Sequence, residues 1–209
     1  MFIELVDALR CPVPHEESWL VASAVRMEAR HIVEGTLGCP VCSAEYPIVH
    51  GVVDFRSTAV EPAAHPAASD STQAERLAAL LDLSDAHGFA VLLGPWGNHS
   101  PPLAAITDVP LVLVDPPAGV TGEPGISVIR CDGVLPLAAG AARATAIDAG
   151  DAARVSSAVR ATRVKGRIVG TAAVALPDDV RELARDDAGW VGEREAPASP
   201  LVSLHVRRG

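Results

Sequence analysis

Five short apolar runs constrain this chain more than anything else in it. They read FAVLLG from Phe89, VPLVLVD from Val109, GISVIRCD from Gly125, ARATAID from Ala142 and GRIVG from Gly166. Each has the length of a strand, and each ends at or beside a Gly or Asp. Unbroken apolar runs of this size belong to strands covered on both faces, which is the habit of parallel sheets. Segments between the runs supply helices, so the pattern predicts a doubly wound α/β sheet. Aromatic residues make up only 3% of the chain, so the core must be built from Ala, Val, Leu and Ile. A capping box at Thr72 and Glu75, followed by Leu77, Leu80 and Leu81, predicts a helix before the first run. DDVRELARDDAGW, from Asp178, is expected to form a later helix, and PLVSLHVRR, from Pro200, an edge strand.

In sheets of this class, ligands bind at the carboxyl ends of the strands. Gly94 and Gly97 let the backbone approach a ligand at the end of the first run. Asp115 and Asp132 end the next two runs, placed to accept hydrogen bonds from ribose hydroxyls and from an adenine amino group. Either aspartate could equally cap a helix. Trp96 stands between the two glycines, where an indole would fill cofactor volume or push the loop outward.

The first 55 residues are of a different kind. Gly38-Cys39-Pro40-Val41-Cys42 is a knuckle, a tight turn that aims two thiolates at one point. Cys11 offers a third thiolate. Pro14 stands where a C-x-x-C partner would be, and His15, one residue on, can complete a Cys3His set for zinc. His15 could also be a plain surface histidine, leaving the site incomplete. Cys131 is expected to be a small buried residue. Pro62 and Pro66, within an Ala- and Ser-rich stretch, mark residues 56–71 as a linker. Residues 1–55 and 72–209 are therefore expected to form separate cores.

Both blocks resemble known families. Leu9, Cys11, Pro12, Cys39, Cys42, Tyr46, Pro47, Ile48 and Gly51 are similar to the pattern of the small zinc-ribbon activator subunits of methyltransferases. The order of LLGPWGN, LVLVDPP and VIRCDGVLPLAAGAARATAID resembles class I S-adenosylmethionine-dependent methyltransferases. That likeness implies a Rossmann-like methyltransferase sheet beside a small zinc-ribbon-like α+β domain. It also implies Gly94, Trp96, Gly97, Asp115, Asp132 and Leu135 as the cofactor-facing positions. Leu92 stands where the family carries an acid for the methyl donor's ammonium, and DPPAGVTGEPG after the second run is too short for the usual helix. S-adenosylmethionine binding is thus expected to be weak or absent.

Two functions follow from this reading. One is a degenerate, non-catalytic scaffold, a pseudoenzyme that binds a protein such as a methyltransferase or its substrate protein. The other is an active methyltransferase of unspecified substrate. A dehydrogenase is disfavoured because Gly94-Pro95-Trp96-Gly97 lacks the G-x-G-x-x-G spacing. The net charge of −9 argues against broad nucleic-acid binding. Arg160, Arg163, Lys165 and Arg167 read as a solvated helix end and turn. No export signal or apolar run of membrane-spanning length is visible, so a cytoplasmic location is expected.

Overall fold

The computed structural model describes residues 1–57, 71–148 and 150–196. The linker stretch 58–70 and the expected C-terminal edge strand lie outside the described residues. Four strands come from the first block: β1 (Val21–Glu28), β2 (His31–Gly38), β3 (Glu45–Val49) and β4 (Val52–Asp54). They follow a 3-10 turn, Ile3–Ala8, and form an antiparallel meander. The second block opens with helix α1 (Ser71–Leu80). Strands β5 (Ala90–Leu93), β6 (Leu111–Val114), β7 (Ile126–Arg130) and β8 (Ala142–Ile147) then coincide with the first four apolar runs, and β9 (Thr162–Thr171) contains the fifth but starts four residues earlier, so that Arg163, Lys165 and Arg167 lie on a strand and not in the expected helix end and turn. A 3-10 turn, Gly94–His99, and the one-turn helix α2 (Ser100–Ala104) follow β5, and α3 (Ala152–Ala161) follows β8.

Among the described residues the eleven strands, including β10 (Val180–Arg185) and β11 (Gly189–Arg194), join one sheet in the order β1-β2-β3-β4-β7-β6-β5-β8-β9-β11-β10. Counted from β5, the parallel strands run 3-2-1-4-5, the doubly wound order. The molecule is thus a mixed α/β protein with a parallel central sheet and a β-rich N-terminal segment. Among the described residues no helix is long and apolar enough to cross a membrane.

The period of two splits each central strand between two cores. Ala90, Leu92, Leu111 and Leu113 face one side, where Leu77 and Leu81 of the α1 segment and Leu103 of α2 cover them. Val91, Leu93, Val112 and Val114 face the other side. There they pack in one cluster with Phe2, Leu5, Leu9 and Phe55 of the first block and Val159 of α3. Among the described residues no helix forms between β6 and β7 or between β7 and β8. The N-terminal turn fills that side instead, with the Arg10 N–H on the Pro136 carbonyl at 3.0 Å and the Ala138 N–H on Ala8 at 2.8 Å.

Two expectations fail here. The blocks do not form separate cores. Strand β4 pairs parallel to β7, Val52 opposite Val128 and Val53 opposite Ile129, and the Phe55 N–H continues onto the Arg130 carbonyl at 2.8 Å. The edge of β7 and the apolar face above it would otherwise be bare, and burying both favours fusion of the cores. The expected helix after Asp178 is instead the hairpin β10–β11. Val180 is the only buried residue of β10, so no apolar stripe holds a helix to the sheet. Asp186 accepts the N–H groups of Ala188 and Gly189 at 2.9 and 3.0 Å, which folds DDAG into a turn. The helix predicted from Thr72 forms, covering Ser71–Leu80 among the described residues.

Candidate metal centre and strand-end crevice

The knuckle forms where β2 ends. The Cys39 N–H donates to the Ala44 carbonyl at 2.9 Å and the Ser43 N–H to Cys39 at 3.0 Å, closing the turn with Ser43 at φ 60°. Cys11 is brought alongside by the bridge between Arg10 and Trp19 and by its own N–H on the Ser18 carbonyl at 3.1 Å. His15 sits in the loop between them. Its Nδ1 is held against the Glu16 carbonyl, which turns Nε2 toward Cys39 Sγ at 3.4 Å. Such a second hydrogen bond fixes the tautomer that leaves Nε2 able to ligate.

The donor atoms of Cys11, His15, Cys39 and Cys42 all lie within 4.8 Å of one another. Cys11 and Cys42 are 3.7 Å apart, sulfur to sulfur. A tetrahedron with arms of about 2.3 Å has edges of about 3.8 Å, so the four donors can hold a metal such as zinc. Burial pushes the Cys39 thiol up, but the N–H groups of Cys42 and Val41 and the neighbouring thiols outweigh it and bring its pKa to about 6. Cys11 is raised by burial, offset in part by the Tyr46 hydroxyl 3.3 Å from its sulfur. The ring of Tyr46 packs on Phe55 with centroids 4.6 Å apart, so the candidate metal centre and the β4–β7 seam share a wall.

The strand-end positions are engaged by the chain itself. Gly94 closes β5 at φ 54°, with open space around it. Gly97 faces Pro116, whose Cβ would lie 2.8 Å from a methyl added there. Asp115 accepts a hydrogen bond from Arg154 of α3 at 2.7 Å and one from the Cys131 N–H at 3.2 Å. Asp132 accepts from the N–H and hydroxyl of Ser57 at 3.2 and 3.3 Å. Leu135 is buried, and its N–H donates to Ser157 Oγ at 3.0 Å. Leu92 is fully buried in the α1–α2 cluster. Trp96 packs beside that cluster, on the α1 face, while Asp115 faces α3.

The surrounding charges are ones the sequence reading did not find. Arg56 pairs with Asp54 at 2.6 Å, holding that carboxyl below its usual range. Arg130, whose proton affinity burial lowers, donates to the Pro116 carbonyl at 2.7 Å. Arg154 lies 39 residues from Asp115, a separation no local pattern spans. Cys131, expected to be buried, is, and burial pushes its thiol up to about 12.

No protein-family model matches the chain, and no curated protein does. Solved structures do. The glycopeptide N-methyltransferase MtfA complexed with sinefungin is similar at 12% identity and a TM-score of 0.38, over 70% of this chain and 77% of that one. Haemonchus contortus phosphoethanolamine N-methyltransferase 2, bound to S-adenosyl-L-methionine, is 14% identical with a TM-score of 0.38, over 84% of this chain and 50% of that one. The T. thermophilus 16S rRNA methyltransferase RsmC, with AdoMet and guanosine, is 19% identical with a TM-score of 0.35, over 82% and 47%. This chain spans about half the length of the latter two.

Proposed function

We propose that the chain is a methyltransferase-like, non-catalytic scaffold, stiffened by a zinc knuckle built into its sheet, that presents its surface to a protein partner. The observation that carries this reading is the fate of Asp115. A ribose-binding carboxylate must offer its oxygens to hydroxyls, and here Arg154 and a backbone N–H occupy them. Displacing a charged hydrogen bond of this kind costs roughly 1.5–3 kcal/mol before a ligand gains anything. Asp132 is engaged by Ser57, and Pro116 lies against Gly97. Leu92 provides no charge for an ammonium. These residues do not fit S-adenosylmethionine.

Zinc fits the first block. Three cysteines and an oriented histidine make a closed four-donor set, which suits a structural ion, since a catalytic one keeps an open position. Its chemistry would be to pin the 3-10 turn, the 12–18 loop and β2 together. A protein such as a methyltransferase, or the substrate protein of one, is the partner class this block suggests.

An active enzyme is the second reading. What favours it is that Asp115 and Asp132 follow adjacent parallel strands, beside a glycine turn with open space at Gly94. Calorimetric titration with S-adenosylmethionine and its demethylated product separates the two. The scaffold reading expects no heat of binding at submillimolar ligand. Micromolar binding, lost in Asp115→Ala, overturns it.

A further inference from the structure

Strand β9 carries more residues than its neighbour can pair. Ala142 and Ala144 of β8 stand opposite Thr162 and Arg167, so Arg163, Val164, Lys165 and Gly166 together face the single residue Arg143. The surplus is pushed out of the ladder as a bulge. Thr162 and Gly166, both buried, anchor it. The Thr162 hydroxyl donates to the Ala158 carbonyl at 3.0 Å, and a methyl at Gly166 would overlap the Arg143 carbonyl. Between these anchors Arg163, Val164 and Lys165 are exposed, and Lys165 takes φ 63°, the left-handed conformation of a turn. The bulge sits beside the start of β8, at the end of the sheet opposite the strand-end crevice.

Lys165 is the one lysine in the sequence. The other cations are arginines, whose guanidinium stays protonated and does not serve as a nucleophile. The Met1 amine is buried and donates to the Ile32 carbonyl at 3.1 Å. Lys165 is thus the amine that an electrophile in water can reach. Its neighbours add a second feature. Arg163, Lys165 and Arg167 make no ion pair among the described residues, whereas the exposed Arg26, Arg76, Arg181 and Arg185 each hold a carboxylate. Lys165 and Arg167 both stabilise the Glu193 carboxylate, but that group is held by Arg181 at 2.8 Å.

Free guanidiniums beside a free amine attract an anion, and the rest of the chain sets its size. The net charge is −9, and at physiological salt a charge is felt over about 8 Å. A nucleic acid or a bilayer extends well past that distance and meets acidic surface, whereas a small anion meets the bulge alone. The planar fork of arginine matches phosphate oxygens. In an acyl phosphate a single oxygen joins the acyl carbon to phosphorus. A phosphate held by Arg163 and Arg167, two residues to either side, therefore brings the carbonyl to the amine. A coenzyme A thioester carries its phosphates a long arm away from the acyl carbon and gains nothing from the same pair.

We propose that Lys165 is a lysine-acylation site for acyl phosphates, with Arg163 and Arg167 binding the phosphate. The neutral amine attacks the acyl carbon and forms the amide C–N bond. The C–O bond to phosphate breaks, inorganic phosphate leaves with the electron pair, and the amine proton passes to it or to water. No oxidant or reductant is needed. Acylation removes the charge of Lys165 from the bulge. The site stands whether or not the strand-end crevice binds a methyl donor.

Acetyl phosphate, added to the full chain at mildly alkaline pH, is the probe, and acetylation at Lys165 is followed by peptide mapping. The rate should saturate with acetyl phosphate, and inorganic phosphate should slow it more than chloride of equal ionic strength. The neutral donor p-nitrophenyl acetate reports the amine without the anion site, so its rate at Lys165 should neither saturate nor respond to phosphate. Arg163→Gln with Arg167→Gln should slow acetyl phosphate about fivefold or more and leave the ester rate unchanged. If that double variant does not fold, competition by phosphate on the unmodified chain decides alone. An unlabelled Lys165, phosphate acting no more than chloride, or equal slowing of both donors by the double variant would overturn the proposal.

Discussion

Leu9→Ala tests whether the fused core makes the two blocks one folding unit. Leu9 belongs to the first block, is fully buried, and bridges backbone to backbone with Leu137 of the second, which is also fully buried. Truncating a buried leucine costs the lost transfer energy plus the cavity left behind, about 2.7–5.0 kcal/mol. A value near ~3.5 kcal/mol suits this site, because Phe2, Leu5 and Leu137 surround it in the same cluster and collapse of the backbone is limited by the bridge. With a urea slope of about 2.5 kcal/mol per molar, the midpoint should fall by about 1.4 M. The assay is equilibrium unfolding in a Trp19→Phe background. Trp19 is 59% exposed, so its loss is mild, and emission then reports only Trp96 and Trp190 of the α/β block. If β4 and β7 unite the blocks, both tryptophans register the full shift, including Trp96, which packs against the cluster on the other face of the sheet from Leu9. An unchanged midpoint for their emission, with an earlier loss of ellipticity from the first block, would refute the reasoning.

Zinc content should be one ion per chain, lost in Cys39→Ser and kept in Cys131→Ser; purified protein free of metal under non-chelating conditions would contradict this. Chelation should then lower the melting temperature of the α/β block as well, since Tyr46 and Phe55 couple the metal centre to β4. Gly97→Ala should destabilise by about 1–3 kcal/mol through its overlap with Pro116, a fall of roughly 2–10 °C by calorimetry for a chain of this size. Acid unfolding reports on Asp54, whose pKa is depressed by Arg56. Its contribution is present above the unfolded value of about 3.9 and is lost as pH falls through the lower folded value. Asp54→Asn should therefore destabilise the protein at pH 7 and flatten the pH dependence below about 4, and an unchanged acid limb would remove Asp54 from the account.

The sequence by itself determined the elements whose signal is local. Five buried strands were legible because a run apolar on both faces has few other uses, and the parallel sheet followed from their number and endings. The cluster of Cys11, His15, Cys39 and Cys42, which could hold a metal, was legible too: a knuckle carries its geometry within four residues, and His15 stood one position from the expected slot. Only the tertiary structure decided what depends on distant surfaces meeting. VRELAR has helix-forming residues, yet it is a strand, because β11 offered an edge to pair and the DDAG turn brought it there. Arg154 and Asp115 carry no mark of each other until α3, packed on β8 and β9, brings Arg154 to the ends of β6 and β7. The union of the blocks is the clearest case. Composition marked a break between residues 1–55 and 72–209, since composition follows the chain. The core follows exposed surface, and the edge of β7 with its apolar face is covered by β4, Phe55 and the N-terminal turn.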